Sequence, residues 1–193
     1  AAFGFDPREP VILFLGGSQG ADRINTFILE NIEPLTEKFQ ILHQTGPQAY
    51  ESYRNEFAFL YPHPRPDRKY RYRFEPYFDR NIAQAYGAAD VVVSRAGASA
   101  IFELAALGKP AILIPLPGSA HDHQLENAYA YEQAGGAIVI EEENLLPMLF
   151  VNELDRLVRD GKRLETMSQA AKRFYQPRAA EAIADDLFSL ARL

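Results

Sequence analysis

The stretch Val11-Ile12-Leu13-Phe14-Leu15-Gly16-Gly17-Ser18-Gln19-Gly20-Ala21 decides the architecture. Five unbroken apolar residues ending in glycines are too short for a helix, and they are the pattern of a strand buried on both faces. Downstream, Ala21–Lys38 carries Ile24, Phe27, Ile28 and Ile32 at helical spacing, which predicts a single helix there. The unit is therefore strand, glycine turn, helix.

Working outward, the same unit recurs. Phe39–Thr45 (FQILHQT) reads as a strand followed by a helix over Pro47–Phe59. Asp90–Ser94 (DVVVS) is a buried strand after a short helix at Asn81–Ala89, and Ala98–Leu107 is the helix that follows it. Pro110–Leu116 (PAILIPL), a helix at His123–Ala134 and a last strand at Ala137–Glu141 complete the alternation. Leu145 to Leu193 reads as helical throughout, with Pro147 and Pro177 near helix starts. Repeated βα units with wholly apolar strands call for parallel strands joined by helical crossovers. The expected fold is α/β, a doubly wound, mainly parallel Rossmann-like sheet, in one domain over residues 1–193.

Composition narrows the function. With no cysteine, disulfides, thiolate metal sites and a cysteine nucleophile are excluded. The net charge of −6 argues against a chain that coats nucleic acid non-specifically. The apolar run Val11–Leu15 falls far short of the ~20 residues of a membrane span. Together with the absence of cysteine and of a signal-peptide pattern at the start, this gives an expectation of a cytoplasmic location.

In a doubly wound sheet, ligands bind beyond the carboxyl ends of the strands, where the strand order reverses. The loops after Leu15, Val93 and Leu116, and the region around Phe78, are the places to search. Gly16-Gly17-Ser18-Gln19-Gly20-Ala21 offers glycines for a tight turn, a hydroxyl, and a helix start with free N–H donors, which suits phosphate. It is neither a Walker loop nor the dinucleotide fingerprint, and any α/β protein needs small residues at such a turn. Ser94-Arg95-Ala96-Gly97-Ala98-Ser99 repeats the pattern ahead of a helix carrying Glu103. A carboxylate there suits the two donors of a ribose diol; the plainer reading is a solvated residue paired with Lys109. Gln124 and Asn127 lie three residues apart on one helical face, with amide donors and acceptors fit for sugar hydroxyls. The plainer reading there is a helix start capped by Asp122 or His121. His121, Asp122 and His123 do not make a persuasive metal set, and the sequence has no Asp-x-Asp triplet. The interleaved cations and tyrosines of His63–Arg73 fit a half-exposed strand and loop better than a patch for anionic lipid headgroups. Glu141, Glu142 and Glu143 read as a solvated strand end.

Taken in order, GGSQGA at Gly16–Ala21, ADVVVSRAGA at Ala89–Ala98 with FELAALGKPAILIP at Phe102–Pro115, and HDHQLENA at His121–Ala128 resemble the donor-nucleotide half of the bacterial MurG glycosyltransferase family. The resemblance covers nearly the whole chain. It implies one half of a GT-B enzyme, two Rossmann-like domains facing across a cleft. That family inverts the anomeric carbon as it moves N-acetylglucosamine from UDP-N-acetylglucosamine to a lipid-linked muramyl-pentapeptide, a step of peptidoglycan synthesis. By resemblance, Gly17, Ser18, Gln19 and Gly20 meet the diphosphate, with backbone N–H groups of Gly97, Ala98, Ser99 and Ala100 nearby. Glu103 takes the ribose hydroxyls, and His123, Gln124 and Asn127 hold the transferred sugar. Uracil is read by backbone atoms after an aromatic-rich strand; an extra residue before Tyr86 leaves Phe78 or Asp79, and Phe78 is taken.

The resemblance implies no cofactor and no metal, with the donor as substrate. The family's amino-terminal acceptor domain, holder of the expected general base, has no counterpart here, so a fragment of a larger enzyme is expected. Its isolated form should be inactive, and the full enzyme should work at the inner face of the cell membrane. The competing expectations are a separate donor subunit of a split N-acetylglucosaminyltransferase with a membrane partner, and half of a UDP-N-acetylglucosamine 2-epimerase.

Overall fold

A computed structural model of the chain describes residues 3–16, 21–62, 71–119 and 122–191. Six strands, β1 (Val11–Leu15), β2 (Gln40–Gln44), β3 (Tyr72–Glu75), β4 (Val91–Ser94), β5 (Ala111–Leu113) and β6 (Ala137–Val139), form one sheet in the order β3-β2-β1-β4-β5-β6. Every pairing is parallel. At the centre, Leu15 of β1 stands opposite Gln44 on one side and Ser94 on the other, so three strand ends finish level.

The helices are α1 (Asp22–Glu30), α2 (Ile32–Lys38), α3 (Tyr50–Leu60), α4 (Ile82–Ala88), α5 (Ala98–Leu107), α6 (His123–Gln133), α7 (Pro147–Arg159), α8 (Gly161–Phe174) and α9 (Ala179–Leu190). The single helix expected over Ala21–Lys38 is broken at Asn31. Pro34 has no N–H to give the carbonyl of Glu30 and its ring collides with that turn, so the helix must restart. Asn31 closes the first piece by donating its side-chain Nδ2 to the Phe27 carbonyl at 2.8 Å. The final segment is helical as expected, with α7 starting at Pro147 and α9 just after Pro177. Asp160 starts α8 by accepting from the Arg163 N–H at 2.9 Å, and α8 stops before Pro177.

Period-two alternation divides the core in two. Ile12, Phe14, Ile41, Val91, Val93 and Ile112 face one layer, packed with α1, α2 and α7 residues such as Ile28, Leu35, Phe150 and Leu154. Leu13, Leu15, Leu42, Val92 and Leu113 face the other, against Tyr86, Ile101, Leu104 and Tyr131. Both faces are covered over β1, β4 and β5, which carry no polar alternation, whereas the edge strand β3 alternates aromatic and charged residues. The β1–α1 and β4–α5 connections leave neighbouring strands for opposite layers, and a crevice opens between them.

Candidate functional site

That crevice is a cleft of about 790 Å³ lined by Gly16, Ala21, Asp22, Arg23, Gln48, Ser94, Arg95, Gly97, Ala98, Ser99, Ala100, Leu116, Gln124 and Glu142. Two helices begin on it. α1 starts after Ala21 and α5 after Gly97, and among the described residues neither start has a side-chain cap. The first N–H groups of a helix have no partner within the helix, and their dipoles favour an anion. Two uncapped starts on one cleft make a surface of neutral donors for a phosphate-bearing ligand.

Of the residues singled out from the sequence, Gly97, Ala98, Ser99, Ala100 and Gln124 line this cleft. Gly17, Ser18, Gln19 and Gly20 lie outside the described residues, as does His121; the flanking Gly16 and Ala21 are both in the cleft wall. Glu103 lies further along α5 and accepts a hydrogen bond from the Tyr86 hydroxyl at 2.9 Å. Burial, and then the Glu103 carboxylate, push that hydroxyl well above the ordinary phenol range, so Tyr86 stays a donor that orients Glu103. The plainer pairing of Glu103 with Lys109 is not what forms: Lys109 donates to the Ala89 carbonyl at 2.8 Å. Desolvation lowers the pKa of that ammonium.

Phe78 is buried, its ring edge-on to Phe3, and its N–H donates to Gln44 Oε1 at 3.0 Å. The side chain serves the core, and the backbone donor proposed for a base is occupied by Gln44. Gln124 accepts from the Leu116 N–H at 3.1 Å, which ties α6 to the end of the β5 loop. Asn127 reaches back to the Ala96 carbonyl at 3.4 Å, and His123 is exposed on the first turn of α6. The expected Asp122 cap does not form: Asp122 sits in the left-handed region at φ 52° and its side chain caps nothing. Ser119 takes the part instead, its Oγ accepting from the Gln124 N–H at 3.2 Å.

Two arrangements escaped the sequence reading. Arg95 is buried at the end of β4 and donates through Nη1 to the carbonyls of Ile114 and Pro115, both at 3.2 Å. Its Nη2 lies 2.5 Å from Glu142 Oε2, so Glu142 is a paired wall residue of the cleft and not a solvated strand end. The other is a polar chain through the first layer. His43 Nε2 meets Asn25 Oδ1 at 2.9 Å and His43 Nδ1 meets the Tyr72 hydroxyl at 2.8 Å, which in turn meets Tyr53 at 2.5 Å. Asn25 also donates to the Thr45 carbonyl at 2.9 Å, so α1 is bolted to the tip of β2. A histidine directly after the apolar pair Ile41-Leu42 of a strand is the available signal for the second. Arg95 was in view within a small-residue turn, but its partner sits 47 positions later, with no spacing rule to connect them. Arg71, from the basic stretch, donates to the Thr36 carbonyl at 2.9 Å and pairs with Glu9, a structural role; residues 63–70 lie outside the described residues. No group of three or more acidic, histidine or cysteine side chains suited to a metal occurs among the described residues.

Comparison with known proteins places these features in a lineage. The family model described as the glycosyltransferase family 28 C-terminal domain matches residues 11–183. A relative from Lactobacillus helveticus, named UDP-N-acetylglucosamine–N-acetylmuramyl-(pentapeptide) pyrophosphoryl-undecaprenol N-acetylglucosamine transferase, is 36% identical over 182 residues, 94% of this chain and 48% of the relative. One of the same name from Halothermothrix orenii is 39% identical over 175 residues, 89% of this chain and 46% of the relative. Among solved structures, Acinetobacter baumannii MurG superposes with a TM-score of 0.75 at 29% identity, covering 92% of this chain and 49% of that one. The chain thus spans about half the length of the curated relatives it matches.

Proposed function

The chain belongs to the glycosyltransferase family 28 C-terminal domains, and from that footing we propose that its cleft binds the donor of a sugar transfer, UDP-N-acetylglucosamine. The observation that carries this reading is the meeting of two uncapped helix starts, α1 and α5, on one cleft at the point where strand order reverses. The diphosphate lies across Gly16–Ala21 and the N–H groups of Ala98, Ser99 and Ala100. Glu103, oriented by Tyr86, accepts from the ribose hydroxyls. Gln124 and Asn127, with His123, face the sugar, and uracil sits by the Phe78 loop.

In the reaction, an acceptor hydroxyl attacks the anomeric carbon and UDP departs from the opposite face. Negative charge then grows on the diphosphate. Backbone donors already aimed at that charge stabilise the transition state; about 3–4 kcal/mol is lost when one such donor is removed from other enzymes. The acceptor in the relatives' names is an undecaprenyl-linked muramyl-pentapeptide. Its binding site and the general base belong to the part of the relatives that this chain does not span. The last helix, α9, exposes Ile183, Leu187 and Phe188, an apolar face suited to packing against that other half. In such an assembly the chain works at the cytoplasmic face of the membrane, although no described helix is long and apolar enough to cross one. The isolated chain binds the nucleotide and transfers no sugar.

Titration calorimetry with UDP tests the reading. Binding by the isolated chain is expected, with affinity about tenfold lower in Glu103→Gln, the equivalent of ~1.4 kcal/mol. The thermal midpoint should stay unchanged, because glutamine keeps an acceptor for Tyr86. A chain that takes up no UDP, or a Glu103→Gln variant that loses stability but no affinity, overturns it.

A further inference from the structure

We propose that Glu142 is an affinity-determining residue of the cleft, a carboxylate that cancels the charge of Arg95 and so keeps the grip on the diphosphate end of a nucleotide weak. The inference rests on the donor reading above and deepens it. Four ionised side chains line the cleft, Asp22, Arg23, Arg95 and Glu142, two of each sign. Arg95 is the buried member, rooted at the end of β4 at the reversal point, between the two helix starts. Its Nη1 is engaged by the Ile114 and Pro115 carbonyls, which fixes the guanidinium in place. Its Nη2 is engaged by Glu142, whose side chain is 21% exposed against 10% for Arg95.

The pairing is one of charge more than of hydrogen-bond geometry. Glu142 Oε2 is buried and makes no aligned hydrogen bond even though Arg95 Nη2 lies beside it. The turn Glu142–Asn144 is itself held through its backbone, with Asn144 N–H donating to the Glu141 carbonyl at 2.9 Å. What the carboxylate does is subtract one positive charge from a cleft meant for an anion. Neutral helix donors then hold the ligand, and these respond to charge that develops during reaction. A fixed cation would bind donor and released UDP alike, and binding both alike does not speed the chemical step.

Glu142→Gln keeps the shape and one acceptor for Arg95 while removing the charge. Calorimetry on the isolated chain should show UDP binding about tenfold tighter than wild type, as expected for one unit charge at several ångströms and intermediate dielectric. Uridine, which has no phosphate, should bind as before. Glu142→Asp, which retains the charge, should stay near the wild-type affinity for UDP. A structural role alone would weaken both ligands and could not produce a gain. Unchanged or weaker UDP binding in Glu142→Gln overturns the proposal.

The wild-type chain supplies a second reading that needs no variant. With a neutral cleft, its UDP affinity should fall less than about threefold between about 50 and 300 mM KCl; a steep fall overturns the assignment. UDP binding in wild type keeps the donor reading alive whatever Glu142 does, and its absence overturns both.

Discussion

The half of the sheet formed by β1, β2 and β3 and the half formed by β4, β5 and β6 are fastened by opposite chemistry. On the first side the fastener is a neutral hydrogen-bonded chain, Tyr53–Tyr72–His43–Asn25–Thr45. Its direction follows from Asn25: because Nδ2 donates to the Thr45 carbonyl, Oδ1 must accept, so His43 carries its proton on Nε2 and takes one from Tyr72 on Nδ1. On the second side it is the ion pair of Arg95 and Glu142, with the Ile114 and Pro115 carbonyls. A neutral chain fixes geometry without projecting a field, so α1 is positioned and the potential at its start is left to the helix itself. An ion pair fixes geometry and leaves one charge within reach of the ligand, where it tunes affinity. One half of the cleft wall sets shape, the other sets charge.

Breaking the charged side should cost the most. Arg95→Met removes the two donations to the Ile114 and Pro115 carbonyls and strands Glu142 without its cation. Unpairing a buried ion pair in this way costs about 3–5 kcal/mol, to be measured by denaturant unfolding. Removing both charges in Arg95→Met/Glu142→Gln should recover part of that loss. A double variant no better than Arg95→Met would mean that the carbonyl bonds, not the pairing, hold the second side together.

The neutral side should reveal itself through acid. Burial pushes His43 down from an ordinary 6.5 to about 3. Between those values the unfolded chain takes up a proton that the folded chain refuses, so stability is complete above pH 6.5 and falls as pH drops toward 3. The slope approaches about 1.4 kcal/mol per pH unit. Thermal midpoints measured from about pH 7 to 5.5, above most of the range where the carboxylates titrate, should fall for wild type and be nearly level for His43→Gln. Equal slopes in the two proteins would show that His43 is not the group responsible.

The contrast also explains what could be read from the sequence. Most strand positions and the sheet type are legible because Val11–Leu15, Val91–Val93 and Pro110–Leu116 are apolar without interruption, the pattern of a sheet covered on both faces. The break at Asn31 was missed although Pro34 announces it, because the apolar spacing of Ile24, Phe27, Ile28 and Ile32 runs straight across the break. Gly97, Ala98, Ser99, Ala100 and Gln124 line the cleft because they sit where a strand ends and a helix begins. Glu142 and His43 could not be read in this way, because their roles depend on partners brought near only by the crossovers. Three acids in a row look solvated until one of them meets Arg95. Of the two residues offered as a cap for α6, His121 lies outside the described residues, and Asp122 adjoins the helix with a left-handed backbone and no side-chain cap bond, whereas Ser119 folds back onto the first turn.

The smallest effect expected belongs to that cap, and it bears on how the charged side shapes the sugar end of the cleft. Ser119 Oγ accepts from the Gln124 N–H, and Gln124 Oε1 in turn accepts from the Leu116 N–H, so one hydroxyl holds both the start of α6 and the amide that faces the cleft. Ser119→Ala should lower stability by about 1 kcal/mol, the usual loss for an N-cap, seen as a modest drop in the urea midpoint. If the cap also positions Gln124, affinity for UDP-N-acetylglucosamine should fall several-fold while affinity for UDP holds, because only the former carries the sugar. Equal losses for the two ligands would move Gln124 from the sugar to the diphosphate, and bring the second side's influence nearer to Arg95.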